Sequence, residues 1–454
     1  MKSPMLSMDQ AMAALLAQAQ PLGDIETVDT LDAHGRVLAQ SVASTLDVPP
    51  MDNTSMDGYA VRAADITAPG ARLVVSGRIP AGVVGEPLPP RAAARIFTGA
   101  MIPQGADAVV MQEQCSAEKT AAGDTVIVNH VPAAGEWIRR RGEDIRAGSE
   151  VLEAGTRLTP QACGLAASVG LKTLRVVRRL KVAVFFTGDE LAMPGEPLKP
   201  GAIYNSNRFM LRGLIEGLGC TLTDFGIVRD TLDETRATLR AAARDHDLII
   251  TTGGVSVGEE DHVRPAVEME GEIKLWQIAM KPGKPLAYGR VRRTAGAAPV
   301  AQRVANAVSV AHEVGREVTS GSPEKGSGSA SAPIAAGDAA DMADFIGLPG
   351  NPVSSFVTFL LFVRPFILKR QGAVALEPRA LTLPAAFDWP RPDRRREFLR
   401  VRLNPQGSLD LFPNQSSGVL TSTVWGDGLV DNPPAAAIKR GDAVRFLPFS
   451  ALLN

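Results

Sequence analysis

The sequence predicts a multidomain α/β protein whose central domain is a doubly wound, mostly parallel sheet. Three observations support this fold. From Leu180 onward, short apolar runs alternate with helical patterns, as in a parallel sheet with covered faces. Glycine-bearing loops follow three of these runs. Short apolar runs divided by Gly and Pro occur before and after this region, and they predict additional β-rich domains. A chain of 454 residues is expected to hold about three domains.

The predicted sheet is built from strands and helices that alternate along the chain. Four runs rich in apolar residues predict strands, and these are 182–186, 222–228, 248–251 and 345–348. Helices are predicted at 208–218 and 233–244. Asn351 and Pro352 predict the start of another helix that continues to Leu368, because Asn is a good N-cap and Pro suits the first helical position. The free N–H groups at this start are expected to form an anion site.

The remaining segments predict three smaller domains. The predicted division is a helical and connector domain at 1–46 and 148–179, a β-rich inserted domain at 47–147, the α/β domain at 180–376 and a C-terminal small β-barrel at 377–454. In the first segment, Ser7 and Gln10 predict a capping box for a helix that ends near Gln18.

A low-complexity insertion interrupts the α/β domain at 292–342. It is rich in Ala, Gly and Ser, and residues 321–329 have the composition of a linker. We expect a mobile surface insertion. Apolar residues at helical spacing between Val304 and Val314 leave a partner-binding element as the alternative.

Composition excludes several classes of function. The net charge of −1 gives no basic surface for nucleic acid or for a membrane. The apolar stretches are strand-sized, and the N-terminus lacks the apolar core of a secretory signal. The three cysteines and five histidines form neither a disulfide framework nor a zinc motif. We therefore expect a cytoplasmic protein without a zinc site.

The segment from Leu248 to Asp261 carries the clearest chemical signal. A buried strand ends in Thr252-Gly253-Gly254, and three carboxylates follow at 259–261. A strand end, a glycine loop and carboxylates suit a phosphorylated ligand with a hard cation. For this segment alone, a glycine turn before a solvated acidic helix is an equally good interpretation. The recurrence of glycine loops at 187–190 and 349–352 favours a ligand site.

Seven motifs together resemble those of the molybdopterin molybdenumtransferases, the molybdenum insertase family. They follow the family's order over nearly the whole chain, at 53–62, 95–103, 142–144, 187–191, 251–258, 280–285 and 348–354. Two departures stand out. The insertion after Arg290 replaces a short turn, and Gln277 stands where the family has a lysine.

The resemblance implies an elongated four-domain homodimer with a central domain of the molybdopterin-binding type. Its activity would be insertion of molybdenum from molybdate into adenylylated molybdopterin, with release of AMP and molybdenum cofactor and with magnesium (Mg2+) as cofactor. The residues implied for catalysis are Asp57, Thr98, Asp144, Glu190, Asp230, Asp261 and Lys281. Of these, the expected metal ligands are Glu190, Asp230 and Asp261. The residues implied for cofactor binding are Thr187, Gly188, Thr252, Gly253, Gly254, Ser256, Lys284, Pro349, Gly350, Asn351, Arg395 and Ser417.

The local chemistry agrees with this activity, although several residues have a simpler interpretation. Molybdate needs cationic donors, and its soft sulfur ligands come from the pterin, so few Cys and His are needed. Lys281 and Lys284 flank a Pro-Gly turn and suit phosphate or molybdate. The simpler interpretations are a hairpin turn at Asp57-Gly58, a helix cap at Asp230, a solvated loop lysine at Lys284 and a solvated edge strand at 394–396.

Two alternative functions remain open. A molybdopterin adenylyltransferase would share the α/β domain and its loops, but that family lacks the β-rich domain that carries Asp57 and Thr98. A scaffold that binds the pterin and delivers it is the second alternative. The expected partners are a second copy of the chain, a molybdopterin adenylyltransferase, and apo-molybdoenzymes or their chaperones. No nucleic acid and no membrane are expected.

Overall fold

The computed structural model describes residues 5–120, 123–254, 262–293 and 341–453. The chain divides into two compact units. The α/β unit contains residues 1–25, 35–37 and 177–454, and the β-rich unit contains residues 26–34 and 38–176. Ser256, Asp261 and residues 294–340 of the insertion lie outside the described residues.

The β-rich unit is organised around a six-stranded sheet. The strands from this part of the chain are β1 (Ile25–Asp29), β2 (Val42–Ala43), β3 (Asn53–Thr54), β4 (Gly58–Val61), β5 (Ala71–Ile79), β6 (Ala92–Ile96), β7 (Ala108–Met111), β8 (Cys115–Thr120), β9 (Gly123–Val128), β10 (Ile138–Arg139), β11 (Glu150–Leu152) and β12 (Thr173–Val177). The main sheet has the order β7-β4-β6-β5-β9-β8, and β1-β12, β2-β11 and β3-β10 form separate pairs. Short 3-10 turns occupy Thr30–Asp32, Ala63–Asp65 and Gln112–Gln114.

The alternation of apolar side chains along the strands explains how this sheet packs. Tyr59 and Val61 on β4 pack with Val110 of β7 and Val126 of β9 in one cluster, because side chains two residues apart share a face. Gly58 is required at the start of β4, since a Cβ atom there would lie 2.0 Å from the Val110 carbonyl oxygen.

The helices, in chain order, fall mostly in the α/β unit. They are α1 (Met8–Gln18), α2 (Pro160–Ser168, in the β-rich unit), α3 (Ser206–Gly217), α4 (Leu232–Asp245), α5 (Val263–Glu270), α6 (Pro352–Thr358), a π-helical turn (Phe359–Val363), α7 (Arg364–Arg370), α8 (Thr421–Trp425) and α9 (Phe449–Leu453). The capping box predicted for α1 is confirmed, because the Ser7 hydroxyl accepts from the Gln10 N–H at 3.1 Å and Gln10 Oε1 accepts from the Ser7 N–H at 2.9 Å.

The strands of the α/β unit form two six-stranded sheets and one short pair. They are β13 (Lys181–Thr187), β14 (Leu191–Ala192), β15 (Ile203–Tyr204), β16 (Thr221–Val228), β17 (Leu248–Thr252), β18 (Gly271–Gln277), β19 (Met280–Lys281), β20 (Pro285–Arg292), β21 (Met342–Leu348), β22 (Leu381–Pro384), β23 (Arg396–Leu403), β24 (Leu409–Leu411), β25 (Gly428–Asn432) and β26 (Ala443–Pro448). The first sheet has the order β16-β13-β17-β21-β20-β18. Its first three pairs are parallel and its last two are antiparallel.

Both faces of this first sheet are covered. Along β13, Val182 and Val184 pack into a cluster with Leu211 of α3, whereas Ala183 and Phe185 pack into a second cluster with Leu239 of α4. The strand is therefore apolar throughout, as the sequence predicted for a strand buried on both faces. The predicted strands and helices of this region agree with the observed bounds to within about three residues at each end, which is the usual uncertainty of sequence-based boundaries.

The C-terminal sheet has the order β19-β23-β25-β26-β22, with β24 paired to β23. The sequence predicted a small β-barrel here. Among the described residues, however, the end strands β19 and β22 do not pair with each other, so a closed barrel is not shown. Strand β19 comes from the segment just after β18, and Met280 pairs with Arg396. This pairing places Lys281 beside Glu397.

The helical segment Pro352–Arg370 corrects one prediction. Among the described residues it is the single helix long and apolar enough to cross a membrane, with 19 residues and a mean hydropathy of 1.4. The prediction of only strand-sized apolar stretches was wrong, because it counted uninterrupted apolar runs and this helix tolerates Ser and Thr. In the structure 89% of its 18-residue apolar window is buried, which identifies it as a core helix.

The insertion begins and ends at neighbouring positions of one antiparallel strand pair. Arg292 of β20 lies opposite Met342 of β21, and the Arg293 N–H donates to the Asp341 carbonyl oxygen at 2.8 Å. The Arg293 side chain also reaches Asp247 at 3.3 Å. The two ends are thus close enough to be joined by a short turn.

We predict that residues 294–340 are dispensable for folding. Replacing them with a short Gly-Ser turn between Arg293 and Asp341 keeps the last strand pair, and loop-closure entropy depends only weakly on length. The melting temperature should stay within a few degrees of that of the wild type in a calorimetric scan. A control deletion that also removes Arg293 and Met342 should lower it more. A large fall with the shorter deletion would show that the insertion packs on the α/β unit.

Candidate functional site

Three glycine loops meet at one edge of the first α/β sheet. Phe186, Thr252 and Leu348 are level with one another on the parallel strands β13, β17 and β21. The loops that follow these strands contain Gly188, Gly253 and Gly350, and they therefore emerge at the same edge. This edge, at the carboxyl ends of parallel strands, is where open α/β sheets bind ligands.

The loops approach one another closely because they lack side chains. Gly253 has a φ of +83°, and a Cβ atom on it would lie 3.2 Å from the Thr187 carbonyl oxygen. The Gly253 N–H donates to the Leu348 carbonyl oxygen at 3.1 Å. A Cβ atom on Gly350 would in turn lie 3.7 Å from the Gly253 Cα. Bare backbone is thus available to a ligand at this edge.

Asn207 connects two of these loops and was missed by the sequence analysis. Its buried Nδ2 donates to the Gly350 carbonyl oxygen at 2.8 Å and to Thr252 Oγ1 at 3.3 Å. Asn207 Oδ1 and Thr187 Oγ1 are buried and have no hydrogen-bond partner among the described residues. Buried polar atoms are normally satisfied, so these two are candidates to bind a ligand. The sequence offered one signal for the position of Asn207. Asn205, two residues earlier, is an N-cap residue, and it caps α3 by accepting from the Arg208 N–H.

A pocket of about 460 Å³ lies beside the second and third glycine loops, and we call it the central pocket. Its walls come from two glycine loops, the turn between β19 and β20, Arg395 and a loop before α8. The predicted site residues that line it are Gly253, Gly254, Lys281, Lys284, Pro349, Gly350, Asn351, Arg395 and Ser417. The lining residues that were not predicted are Pro282, Gly283, Pro285, Ser354, Gln415 and Ser416. Thr187, Gly188 and Thr252 lie at the same sheet edge but outside this lining.

Two cations of the central pocket are held by two carboxylates that were not predicted. Lys281 Nζ lies 3.2 Å from Glu397 Oε1 and 3.7 Å from Asp393 Oδ2. Arg395 binds Asp393 through Nε at 3.0 Å and through its terminal nitrogen at 2.8 Å. The Arg395 hydrogen bonds hold the pKa of Asp393 well below its usual value, and the same contact raises the pKa of Arg395.

Glu397 is the buried member of this cluster and is held in place by hydrogen bonds. Its side chain is 1% exposed, and its Oε2 accepts from Trp389 Nε1 at 2.7 Å and from the Asp393 N–H at 3.0 Å. Its strand, β23, lies between β19 and β25. The interpretation of 394–396 as a solvated edge strand was therefore wrong, since Arg396 also binds Asp431 at 2.6 Å.

The turn that carries Lys281 and Lys284 rests on the helix after β21. Gly283 has a φ of +99°, and a Cβ atom there would lie 2.5 Å from Thr358 Oγ1. Lys284 is exposed and makes no ion pair with a described residue, so both interpretations of it remain open.

The start of α6 is less available to an anion than the sequence suggested. Asn351 is the N-cap residue, but its side chain makes no capping hydrogen bond. The Val353 N–H donates to the Ser417 carbonyl oxygen at 3.0 Å, and the Ser355 N–H donates to the Asn351 carbonyl oxygen. The Val353 bond attaches the Ser417 loop to the helix, and the Ser355 bond belongs to the first turn of the helix itself.

The carboxylates predicted as metal ligands follow paired strands. Thr187 at the end of β13 is level with Val228 at the end of β16, and Glu190 and Asp230 come shortly after them. The Glu190 carboxylate lies over Gly188, where a Cβ atom would be 2.5 Å away. Asp230 does not cap α4, because Thr231 does so. No group of three His, Cys, Asp or Glu side chains suited to a metal occurs among the described residues.

In the β-rich unit, Asp57 and Thr98 contact each other directly. Asp57 Oδ1 accepts from the Thr98 N–H at 2.8 Å and from its hydroxyl at 2.7 Å. The hairpin interpretation of Asp57-Gly58 was wrong, because β3 pairs with β10 while β4 pairs with β6 and β7. Asp144 is exposed in the same unit.

We predict that Thr98→Val raises the pKa of Asp57 towards its ordinary value of 3.8. The Thr98 N–H, followed by its hydroxyl, lowers this pKa in the folded protein, and the substitution removes only the hydroxyl. A depressed folded pKa stabilises the protein above the unfolded pKa, and this contribution is lost as pH falls through the folded pKa. NMR titration of the carboxyl carbon measures the shift, and an unchanged pKa would contradict the prediction.

Comparison with known proteins identifies the family of this chain. The chain matches the family described as MoeA N-terminal region (domain I and II) over residues 6–170. It also matches a probable molybdopterin binding domain over 183–369 and a MoeA C-terminal region (domain IV) over 382–449. A molybdopterin molybdenumtransferase of Haemophilus influenzae is 35% identical over 99% of this chain and 100% of its own length. The chain belongs to the molybdopterin molybdenumtransferase family.

Two further proteins, one of them a solved structure, are similar to the chain over nearly its whole length. Molybdopterin molybdenumtransferase 2 of Mycobacterium tuberculosis is 34% identical, covering 93% of this chain and 94% of its own. The crystal structure of a molybdopterin biosynthesis moeA protein from Pyrococcus horikoshii has a TM-score of 0.75 at 27% identity, covering 98% of this chain and 100% of that one. The chain therefore has the multidomain fold of these proteins.

The structure locates Gln277, which departs from the motif that the resemblance implies. Gln277 ends β18, four residues before Lys281, and is half-buried. Its carbonyl oxygen accepts from the Leu6 N–H at 2.8 Å. A neutral amide thus stands at a position where the resemblance implies an ammonium.

Proposed function

We propose that this molybdopterin molybdenumtransferase inserts molybdenum from molybdate into adenylylated molybdopterin and releases AMP and molybdenum cofactor. The observation that carries the proposal is the central pocket, which combines Gly253 and Gly350 with Lys281, Lys284 and Arg395. Glycine backbone suits the approach of phosphate, and the cations suit a tetrahedral dianion such as molybdate. The family membership and the name of its curated relatives support the same activity.

The residues of the pocket act by orientation and charge neutralisation. Cleavage of a phosphoanhydride depends mainly on positioning and on stabilising negative charge. Glu397 fixes the ammonium of Lys281, and Asp393 fixes the guanidinium of Arg395, so both donors are oriented before substrate binds. Ser417 and Asn351 complete the wall. Asp57, Thr98 and Asp144, which belong to the β-rich unit, are proposed as further residues of the reaction.

Magnesium is part of this proposal. Glu190 and Asp230 would hold it, with Asp261 as a further ligand outside the described residues. These two carboxylates follow the ends of the paired strands β13 and β16. Such a pair suits Mg2+, which usually binds through one or two carboxylates together with substrate phosphates. When bound, the cation would neutralise phosphate oxygens. The division into four domains and the closure of the C-terminal barrel are further parts of the proposal.

AMP release tests the proposed function. Purified protein is incubated with adenylylated molybdopterin, molybdate and magnesium, and AMP is measured with and without molybdate. Molybdate-dependent release is expected. Formation of adenylylated molybdopterin and pyrophosphate from ATP and molybdopterin, without molybdate-dependent AMP release, would instead favour the adenylyltransferase. Binding of the pterin without any AMP release would favour the scaffold.

We also propose a homodimer in which Asp57 of one copy and Asp261 of the other serve one substrate, as the family resemblance implies. Mixing Asp57→Ala protein with Asp261→Ala protein should then restore part of the AMP release through subunit exchange. Native mass spectrometry confirms that mixed dimers have formed, and mixing each variant with itself is the control. No recovery in proven mixed dimers would contradict a shared site.

Delivery of the product is the last part of the proposal. A molybdopterin adenylyltransferase is the proposed source of the substrate, and apo-molybdoenzymes or their chaperones are the proposed recipients. A cytoplasmic location would suit this exchange.

A further inference from the structure

Arg400 is a buried cation without a described carboxylate partner. It lies on β23 and is 1% exposed. Its guanidinium donates to Ser422 Oγ at 3.1 Å and to the carbonyl oxygens of Phe398 and Ser416 at 3.2 Å each. Because burial is not offset by an opposite charge, it lowers the pKa of Arg400 to about 10. Buried charges are normally paired with an opposite charge, so a buried Arg400 without a described carboxylate partner requires a structural or functional reason.

One short loop separates Arg400 from the central pocket. This loop contains Gln415, Ser416 and Ser417, and all three line the pocket. The guanidinium binds the Ser416 carbonyl oxygen directly. The Arg400 backbone is also bound on both sides by Gln415, whose Oε1 accepts at 2.9 Å and whose Nε2 donates at 3.0 Å. The cation is therefore fixed directly behind the pocket wall.

Without Arg400, the charges of the side chains at the central pocket nearly cancel. Lys281 and Arg395 face Glu397 and Asp393, so two cations meet two carboxylates. Lys284 lines the pocket and makes no ion pair with a described residue, and Arg400 lies behind its wall without a described carboxylate partner. Together they leave a formal charge that matches the two negative charges of molybdate.

We infer that Arg400 acts on the pocket through its electric field, as the buried counter-charge that makes the site selective for a dianion. The inference rests on the proposed function, because it takes molybdate as the ligand. Arg400 does not line the pocket, so it is a positioning and electrostatic residue. A charge in a low-dielectric interior acts over a longer distance than one in water, and salt screens it less.

A comparison of two anions of the same shape separates charge from structure. Molybdate and perrhenate are both tetrahedral, but perrhenate carries one negative charge. Their binding to the full-length protein is measured by isothermal titration calorimetry at fixed ionic strength, without pterin. Arg400→Met should weaken molybdate binding roughly tenfold and perrhenate binding only about threefold, because Coulomb energy scales with ligand charge. Arg400→Lys should keep the wild-type preference for molybdate.

A control variant on the same strand tests whether the effect is specific to Arg400. Arg402→Met removes an exposed arginine from the same strand, where it stacks on Trp425, and should leave both affinities unchanged. Equal weakening of both anions, or no weakening, in a folded Arg400→Met variant would overturn the inference. A wild-type protein that binds neither anion would also overturn the inference. If Arg400→Met does not fold, Arg400→Gln carries the same comparison. A wild type that binds molybdate selectively but releases no AMP would reject the proposed function while leaving this inference standing.

Discussion

Lys281→Ala is expected to slow molybdate-dependent AMP release by on the order of a hundredfold, which is typical for loss of one preorganised donor. The ammonium is fixed by Glu397 and Asp393 before substrate binds, so its removal deletes an oriented charge. Lys281→Arg should recover only part of the rate, since a planar guanidinium cannot replace a compact ammonium between the same two carboxylates. Single-turnover kinetics measures the loss.

The same substitution should also lower stability. Glu397 Oε1 loses its Lys281 partner, and a buried acceptor without a partner costs about 1–3 kcal/mol. Lys439→Ala removes an exposed lysine and is the control for both measurements. Wild-type turnover by the Lys281→Ala variant would show that the ammonium does not take part in the reaction.

Gly283→Ala is expected to cause a loss of similar size for a geometric reason. The left-handed backbone costs a side-chain-bearing residue about 1–2 kcal/mol. In addition, the new Cβ atom would lie 2.5 Å from Thr358 Oγ1, so the turn would have to move. A shift of about 1 Å in positioned groups can cost roughly a hundredfold in rate. Turnover and melting temperature should therefore both fall.

Gly407→Ala is the matched control for this prediction. Gly407 also has a positive φ, of +77°, but nothing lies within 4 Å of a Cβ atom there. It should therefore lose a little stability and no activity. The double variant Gly283→Ala with Thr358→Ala removes the clashing hydroxyl and should recover part of the turnover. If Gly283→Ala alone behaves like Gly407→Ala, the packing of the turn on the helix does not position the lysines.

The elements that depend on local pattern were predictable from the sequence. β13 and β17 are nearly continuous apolar runs because both of their faces are buried, and such runs are visible without a structure. The Ser7 capping box involves residues three positions apart and was equally visible. The extended start of β21 at Met342 was not, since it follows a low-complexity segment.

The central pocket was predictable only in part. The family motifs led to Lys281, Arg395 and Ser417, which all line it. Glu397, the partner of Lys281, was missed because it comes from a distant segment. Glu397 meets Lys281 across 116 positions of sequence, and nothing local connects them. Strand β19 joins the C-terminal sheet rather than the sheet of its neighbours β18 and β20, and this exchange creates the contact.

The position of α1 has a consequence for synthesis on the ribosome. Ala11 and Leu15 are buried in the same cluster as Leu360 and Phe366, and Lys369 Nζ donates to the Leu16 carbonyl oxygen across 353 positions of sequence. At a translation rate of roughly 5–20 residues per second, α1 emerges on the order of 20–70 s before the helix on which it packs. During that interval its apolar face has no native partner. The β-rich unit is complete by residue 176 and can fold in that time. The nascent chain would thus expose the apolar face of its first helix until the segment Pro352–Arg370 has been made.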